Sequence, residues 1–164
     1  MKKKQAAAVT TKEPRDVRYI RKYFGPDPKV FQTSNKGFVP LPIIVRKLLR
    51  HLTPPELRVL VYLQTRASKY GLCFPTLEEI VYELGLSGRK NLTPRLKSLE
   101  EKKLIATRTA EGKKFFLVLD PRVAIEHLAA TGKLGSGQLD EINQLYEDLK
   151  QPPIELHKKS AAGG

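Results

Sequence analysis

The stretch that decides the fold is Pro75–Ile105, "PTLEEIVYELGLSGRKNLTPRLKSLEEKKLI". Its first half predicts a helix that Thr76 caps, because Glu79 stands three residues later and completes a capping box. One face of this helix is apolar at helical spacing, and its residues are Leu77, Ile80, Val81 and Leu84. Gly85 is typical of the left-handed residue that follows a helix. A short turn over Gly85–Ser87 therefore separates this helix from the next one.

The second half predicts another helix, which is apolar on one side and cationic on the other. Its apolar positions fall in a narrow arc, and they are Leu92, Leu96 and Leu99. Ser87 is a candidate N-cap for it. Pro94 leaves the start open, because proline costs a helix interior about 3 kcal/mol and is tolerated in the first turn. Either Thr93 caps a helix that Pro94 opens, after a turn over 88–92, or the helix contains the proline.

The flanking segments extend this pattern in both directions. Upstream, we expect a helix from Thr53 to about Lys69 and a short strand at Leu72–Phe74. Before them, "FVPLP" (Phe38–Pro42) is expected to be extended and "IIVRKLL" to form a short helix. Downstream, "LIATRTAEGKKFFLVLD" (Leu104–Asp120) predicts a β-hairpin, since two strand-like runs flank a turn with glycine.

The ends of the chain are expected to differ from its middle. We predict a basic flexible arm over 1–36, with a short helix at Arg15–Phe24, a folded domain over 37–122, C-terminal helices over 123–150, and a disordered tail over 151–164. A helix from Pro121 to about Ala130 and a linker over 131–137 precede the last predicted helix.

Charge points to a polyanionic partner. The 164 residues include 30 Lys+Arg and 17 Asp+Glu, a net charge of +13. Residues 1–122 hold 26 of the cations and 11 of the acids. Such a charge favours nucleic acid or an anionic membrane surface. No apolar run approaches the roughly 20 residues of a membrane span, and no signal peptide is visible, so a membrane protein is disfavoured. Cys73 is the only cysteine, which fits a reducing cytosol. With nucleic acid as the partner, we expect a cytoplasmic, nucleoid-associated protein.

Catalytic chemistry is not indicated. His51, His127 and His157 share no metal-ligand spacing with Cys73 or with one another. The "GSG" of the linker lacks the continuation of a phosphate-binding loop. No paired acid and base stands out. We therefore expect no enzyme, no metal, no cofactor and no small-molecule ligand.

The order helix, short strand, helix, glycine turn, cationic helix and basic hairpin resembles the winged helix-turn-helix of bacterial regulators and of plasmid or phage replication proteins. The resemblance lies in "PTLEEIVYELGLSGRKNLTPRLKSLEEKKLI" followed by "ATRTAEGKKFFLVL", and it covers 53–120 best. It implies a mainly α fold with a small β-hairpin wing (α+β), a recognition helix in the major groove of double-stranded DNA, and a wing on the backbone or minor groove. Two departures are Pro94 and Lys103, the latter where such families often have glycine.

Carried onto this chain, the resemblance assigns DNA contact to the following residues. The recognition helix would supply Arg89, Lys90, Asn91, Thr93, Arg95 and Lys97, and the wing Arg108, Lys113 and Lys114. Arginine and lysine pair with phosphates and guanine edges, and asparagine pairs with adenine. Ser87 and the helix N-terminus can hold a phosphate. The plain alternative is a solvated cationic face without a ligand.

Two functions fit this assignment. The first is a sequence-reading protein, either a transcription regulator or the origin-binding replication protein of a mobile element. The second is a non-enzymatic interaction subunit of a nucleoprotein complex that binds DNA or RNA without sequence preference. The basic start of the chain suits either, since residues 1–50 hold 13 cations and 3 acids.

The last predicted helix, Gln138–Leu149, has a different character. It holds four acids and no cation, so DNA would repel it. Its apolar positions form a seam, and they are Leu139, Ile142, Tyr146 and Leu149. About 12 residues are too few for a stable isolated helix. The seam must pack on its own domain, on a twin in a homodimer, or on a partner protein, and we expect self-association or a partner.

Overall fold

The computed structural model describes residues 13–30 and 41–155. Its elements, in chain order, are α1 Arg15–Phe24, α2 Val45–Leu48, a 3₁₀ turn Leu49–His51, α3 Pro54–Arg66, β1 Leu72–Cys73, α4 Leu77–Glu83, α5 Arg89–Glu101, β2 Ile105–Ala110, β3 Lys113–Val118, α6 Pro121–Ala130 and α7 Ser136–Asp148. The strands form one antiparallel sheet in the order β1-β3-β2. The described chain is thus α+β, with helices predominating. Most of the predicted extended segment Phe38–Pro42 lies outside the described residues.

Capping boxes start α3 and α4, as the sequence predicts for α4. The Thr76 backbone N–H donates to the Glu79 carboxylate at 2.6 Å, and the Glu79 N–H donates to Thr76 Oγ1 at 3.1 Å. Thr53 and Glu56 make the same pair of bonds at 2.8 and 3.4 Å. Gly85, at φ 61°, follows the end of α4, in the left-handed conformation that glycine adopts without strain. The residues at which both helices begin are therefore determined by the local sequence.

The start of α5 differs from one expectation. Gly88 is the N-cap residue and no side chain caps this end, so the prediction that Ser87 caps the helix is wrong. The Ser87 hydroxyl oxygen instead accepts a hydrogen bond from Asn91 Nδ2. The first turn of α5 is therefore held by a contact between two of the predicted site residues.

Pro94 lies inside α5, as its sixth residue. The alternative in which Thr93 caps a helix that begins at Pro94 is therefore wrong. Proline has no N–H to donate to the Lys90 carbonyl. Because Pro94 is exposed, water can reach that carbonyl oxygen, which limits the cost of the missing bond.

The β-hairpin forms as predicted. Its register pairs Arg108 with Phe115 and Ala110 with Lys113. Glu111 and Gly112, at φ 53° and 70°, make the turn. Two consecutive positive φ values define the type I′ turn, whose twist matches that of the strands.

The sheet is covered on both faces. The inner face contributes Cys73, Ile105, Phe116 and Val118 to the main core. This core also contains buried residues of α3 to α7. The outer face contributes Leu72, Phe115 and Leu117, which pack with Ile20 of α1. Both faces of β3 are therefore buried, which agrees with its continuous apolar sequence.

The arm is folded over the part that the structure describes. The predicted helix Arg15–Phe24 is confirmed, and Ile20 is buried beneath it. Further along, the Asp120 N–H donates to the Lys29 carbonyl at 3.0 Å, and Val30 pairs with Leu119. The expectation of flexibility over 1–36 is therefore wrong for 13–30.

The C-terminal helix packs on its own domain. Ile142 and Tyr146 are each 1% exposed and belong to the main core. Leu139 is half-buried against that core, and Leu149 is exposed. The central part of the apolar seam is therefore covered by the chain itself, which is the alternative that we did not favour. Ile154 is also buried, so the expected disordered tail does not begin at 151. In the described ranges no helix is long and apolar enough to cross a membrane.

Candidate nucleic-acid interface

Helix α5 separates its apolar and polar residues as the sequence predicts. Leu92, Leu96 and Leu99 are buried against the core. The polar side presents Arg89, Lys90, Thr93 and Lys97, which are exposed, and Asn91 and Arg95, which are half-buried. All six predicted residues of this helix therefore reach the surface.

Two of the α5 cations are already paired with acids. Arg89 forms an ion pair with Glu78 in the first turn of α4, and Lys97 lies 4.0 Å from Glu101 one turn along α5. Exposed pairs of this kind contribute about 0–1 kcal/mol, so a phosphate can displace the acid at little cost. Within the described ranges, Lys90 forms no ion pair.

A buried carboxylate fixes α5 on α3. Glu56 is 6% exposed, and its oxygens accept hydrogen bonds from Ser98 Oγ at 2.5 Å and from Lys102 Nζ at 2.7 Å. The same carboxylate caps α3 through the Thr53 N–H. Burial by itself raises the pKa of Glu56, but the bonds from Lys102, Ser98 and Thr53 outweigh it and lower that pKa below its ordinary value. Glu56 therefore remains ionised and sets the position of the cationic helix.

Sequence reasoning missed this residue. The spacing of Thr53 and Glu56 is a capping-box signal and could have identified the local bond. Nothing local indicates the contacts with Ser98 and Lys102, which lie more than 40 residues away in the chain. A second anchor was missed for the same reason: Glu100 accepts from the backbone N–H of Thr107 at 3.1 Å and from its hydroxyl at 2.9 Å, and so ties α5 to β2.

The hairpin cations lie on two different faces of the sheet. Side chains alternate along a strand, so Lys113 and Lys114 point to opposite sides. Lys114 Nζ lies 5.8 Å from the ring centre of Phe116, an inner-face residue. Lys113 Nζ lies 5.7 Å from the ring centre of Phe74, which packs on Phe115 of the outer face. Of the hairpin cations, therefore, only Lys114 lies on the inner, core-side face of the sheet.

Arg108 belongs to the outer face as well, because it is paired with Phe115 in the register. It is exposed, and its guanidinium donates to the carbonyl of Thr107 in the same strand. The predicted wing cluster is therefore two groups, with Arg108 and Lys113 on one face and Lys114 on the other.

Contacts link the hairpin to the start of α5. Phe74, beneath Lys113, is followed after three residues by Glu78, which pairs with Arg89. This path runs through the connection between β1 and α4. The segment from Phe74 to Glu78 therefore contacts both the hairpin and the first residue of α5.

The remaining candidate groups are the cysteine and the histidines. Cys73 is buried, and burial raises its pKa to about 12, so the thiol is neutral at pH 7. In the part of the chain that the structure describes, no three His, Cys, Asp or Glu side chains are grouped as metal ligands would be. His157 lies outside the described residues.

No protein-family model matches this chain. A search of the curated proteins likewise gave no significant match.

Proposed function

We propose that the chain is a double-stranded-DNA-binding protein of winged helix-turn-helix form. In this proposal α5 is the recognition helix in the major groove, and the β2–β3 hairpin is the wing on the backbone. The observation that supports it most is the two-sided character of α5, which buries three leucines and presents cations and the half-buried Asn91 at the surface. Helix α5 directly follows α4 and the Gly85 turn. In a helix-turn-helix, the second helix of such a pair lies in the major groove.

The order of elements agrees with the proposal. Helix α3, strand β1, helices α4 and α5, and strands β2 and β3 follow one another, and β1 completes a three-stranded sheet beside the hairpin. The net charge of +13 supplies the attraction to a polyanion.

The exposed side chains of α5 suit both phosphates and base edges. Asn91 can exchange its bond with Ser87 for a bidentate pair with adenine. Arg89 and Lys97 can leave their surface ion pairs, and Lys90 has none to leave among the described residues. A transcription regulator and an origin-binding replication protein of a mobile element would both use such a helix. The proposal therefore includes both roles.

A second candidate is an interaction subunit that binds DNA or RNA without sequence preference. It is favoured by the division of the hairpin cations between two faces, since cations spread in this way suit backbone contact better than base reading.

Selection of bound sequences from random duplex DNA separates the two candidates. An enriched motif supports the first. Asn91→Ala or Lys97→Ala should then reduce the preference for one or two positions by about 1–3 kcal/mol, whereas Lys114→Ala should weaken binding to every duplex alike. No enriched motif, with equal affinity for duplex DNA and RNA, would support the second candidate and contradict the first.

A further inference from the structure

Helix α1 forms a second charged surface beside the hairpin. At 100° per residue, Arg15, Arg18 and Lys22 fall within an arc of about 60°, opposite the buried Ile20. Arg21 pairs with Glu13 at 2.6 Å, and Asp16 lies outside this arc but acts on Arg15. Arg15 and Arg18 therefore lie on the side of α1 away from the sheet, whereas Lys22 reaches Glu111 at the hairpin tip.

Aromatic rings hold α1 firmly on the hairpin. Tyr19 and Tyr23 stack at 5.8 Å, and they lie 5.5 and 5.2 Å from the ring of Phe115. Such ring pairs contribute about 0.5–1.5 kcal/mol each beyond the area that they bury. Helix α1 and the outer face of the hairpin thus form one unit, with fixed positions for their charges.

The hairpin tip carries one acid, Glu111, and α1 neutralises it. Glu111 accepts hydrogen bonds from Tyr23 OH at 2.8 Å and from Lys22 Nζ at 3.2 Å. These bonds lower the pKa of Glu111 and satisfy its charge. The five cations of the surface are Arg15, Arg18, Lys22, Arg108 and Lys113. Its acids are Glu111 and Asp16, both of which act on Arg15, so its net charge is about +3.

A groove of DNA has a phosphate backbone on both of its walls. If the hairpin enters a groove beside α5, one wall lies toward α5 and the other lies toward α1. We propose that the α1 surface binds the phosphate backbone of duplex DNA beyond the hairpin, and so extends the bound site past the bases that α5 reads. This inference rests on the proposed function, because it takes the hairpin to be the wing.

The test compares duplexes of different length. A selected site is prepared as a minimal duplex and with about ten base pairs, one helical turn, added at one end or at the other. The full chain should bind the duplex that is extended on the hairpin side more tightly than the minimal duplex, and with a steeper salt dependence. Extension at the opposite end should have no such effect.

The double variant Arg15→Ala/Arg18→Ala removes the two exposed cations of α1 that lie away from the sheet. It should lose most of the preference for the extended duplex and should lower the salt slope on that duplex by about 1.8, or 0.9 per lost contact. The control Arg46→Ala/Lys133→Ala removes two exposed cations elsewhere and should keep the preference for the extended duplex. Unchanged melting temperatures would show that both variants are folded.

The outcomes distinguish this inference from the proposed function. If the parent binds duplex DNA through α5 but gains nothing from either extension, the α1 surface does not contact DNA. The same conclusion follows if the double variant behaves as the control does, or if it loses affinity for single-stranded DNA alone. If the parent binds no duplex at low salt, the proposed function itself fails, and the inference fails with it.

Discussion

Replacing Glu56 with glutamine should loosen α5 from α3. The Glu56 oxygens accept bonds from Ser98, Lys102 and the Thr53 N–H, and glutamine offers one acceptor oxygen and turns an NH₂ group toward a donor. A hydrogen bond to a charged group contributes about 1.5–3 kcal/mol, and a buried donor left unpaired costs about 1–3 kcal/mol. Because Lys102 is 28% exposed and can turn toward water, we expect the free energy of unfolding to fall by about 2 kcal/mol.

Urea unfolding of the full chain at pH 7, followed by circular dichroism, measures this difference. Glu101→Gln is the matched control, since Glu101 is exposed on the same helix and should change stability by less than about 0.5 kcal/mol. Equal unfolding midpoints for the two variants would refute the role of Glu56 in holding α5.

Acid provides a second readout of the same contact. The pKa of Glu56 is lower in the folded chain than its unfolded value of about 4.3. Its stabilisation is therefore complete above the unfolded pKa and is lost as the pH falls through the folded one. The difference in free energy of unfolding between the parent and Glu56→Gln should be largest at pH 7 and should shrink below about pH 4. A difference that widens in acid would contradict this reasoning.

Three further substitutions test the packing that supports the site, each by urea or thermal unfolding. Gly112→Ala should destabilise the hairpin by about 1–2 kcal/mol, because φ of 70° strains any residue with a Cβ; a neutral result would argue against the type I′ turn. Pro94→Ala should raise the melting temperature, with a gain of about 1 kcal/mol, because it restores an N–H donor for the Lys90 carbonyl; a loss would mean that the proline is needed where it lies. Tyr146→Phe should be neutral or stabilising by up to about 1 kcal/mol, because within the described residues the buried hydroxyl has no hydrogen-bond partner; a loss above 1 kcal/mol would reveal a partner.

Much of the fold could be predicted because its signals are local. The Thr76 cap, Gly85 and the continuous apolar run of β3 each act within a few residues of the chain. The start of α5 could not be decided in this way, because proline is compatible with a first turn and with an exposed interior position. Only the structure shows that α5 begins at Arg89 and contains Pro94.

The contacts that hold the site together could not be predicted, because they join distant segments. The basic composition of the arm favours disorder, yet Tyr19 and Tyr23 find Phe115 about 90 residues later. The apolar seam of α7 required cover, but the pattern could not say whether Ile142 and Tyr146 would face their own domain or another chain. The division of the wing cations was predictable: Lys113 and Lys114 are neighbours on a strand, so grouping them was an error of periodicity.

The salt dependence of duplex binding tests the central claim most directly. Each phosphate contact that a protein makes releases condensed counterions, so the logarithm of the affinity falls linearly with the logarithm of the salt concentration. With about 5–7 phosphate contacts, the slope should be about −4.5 to −6, and the affinity should fall by orders of magnitude between about 50 and 200 mM salt. An affinity that does not change over this range, or the absence of duplex binding at 50 mM, would contradict the account.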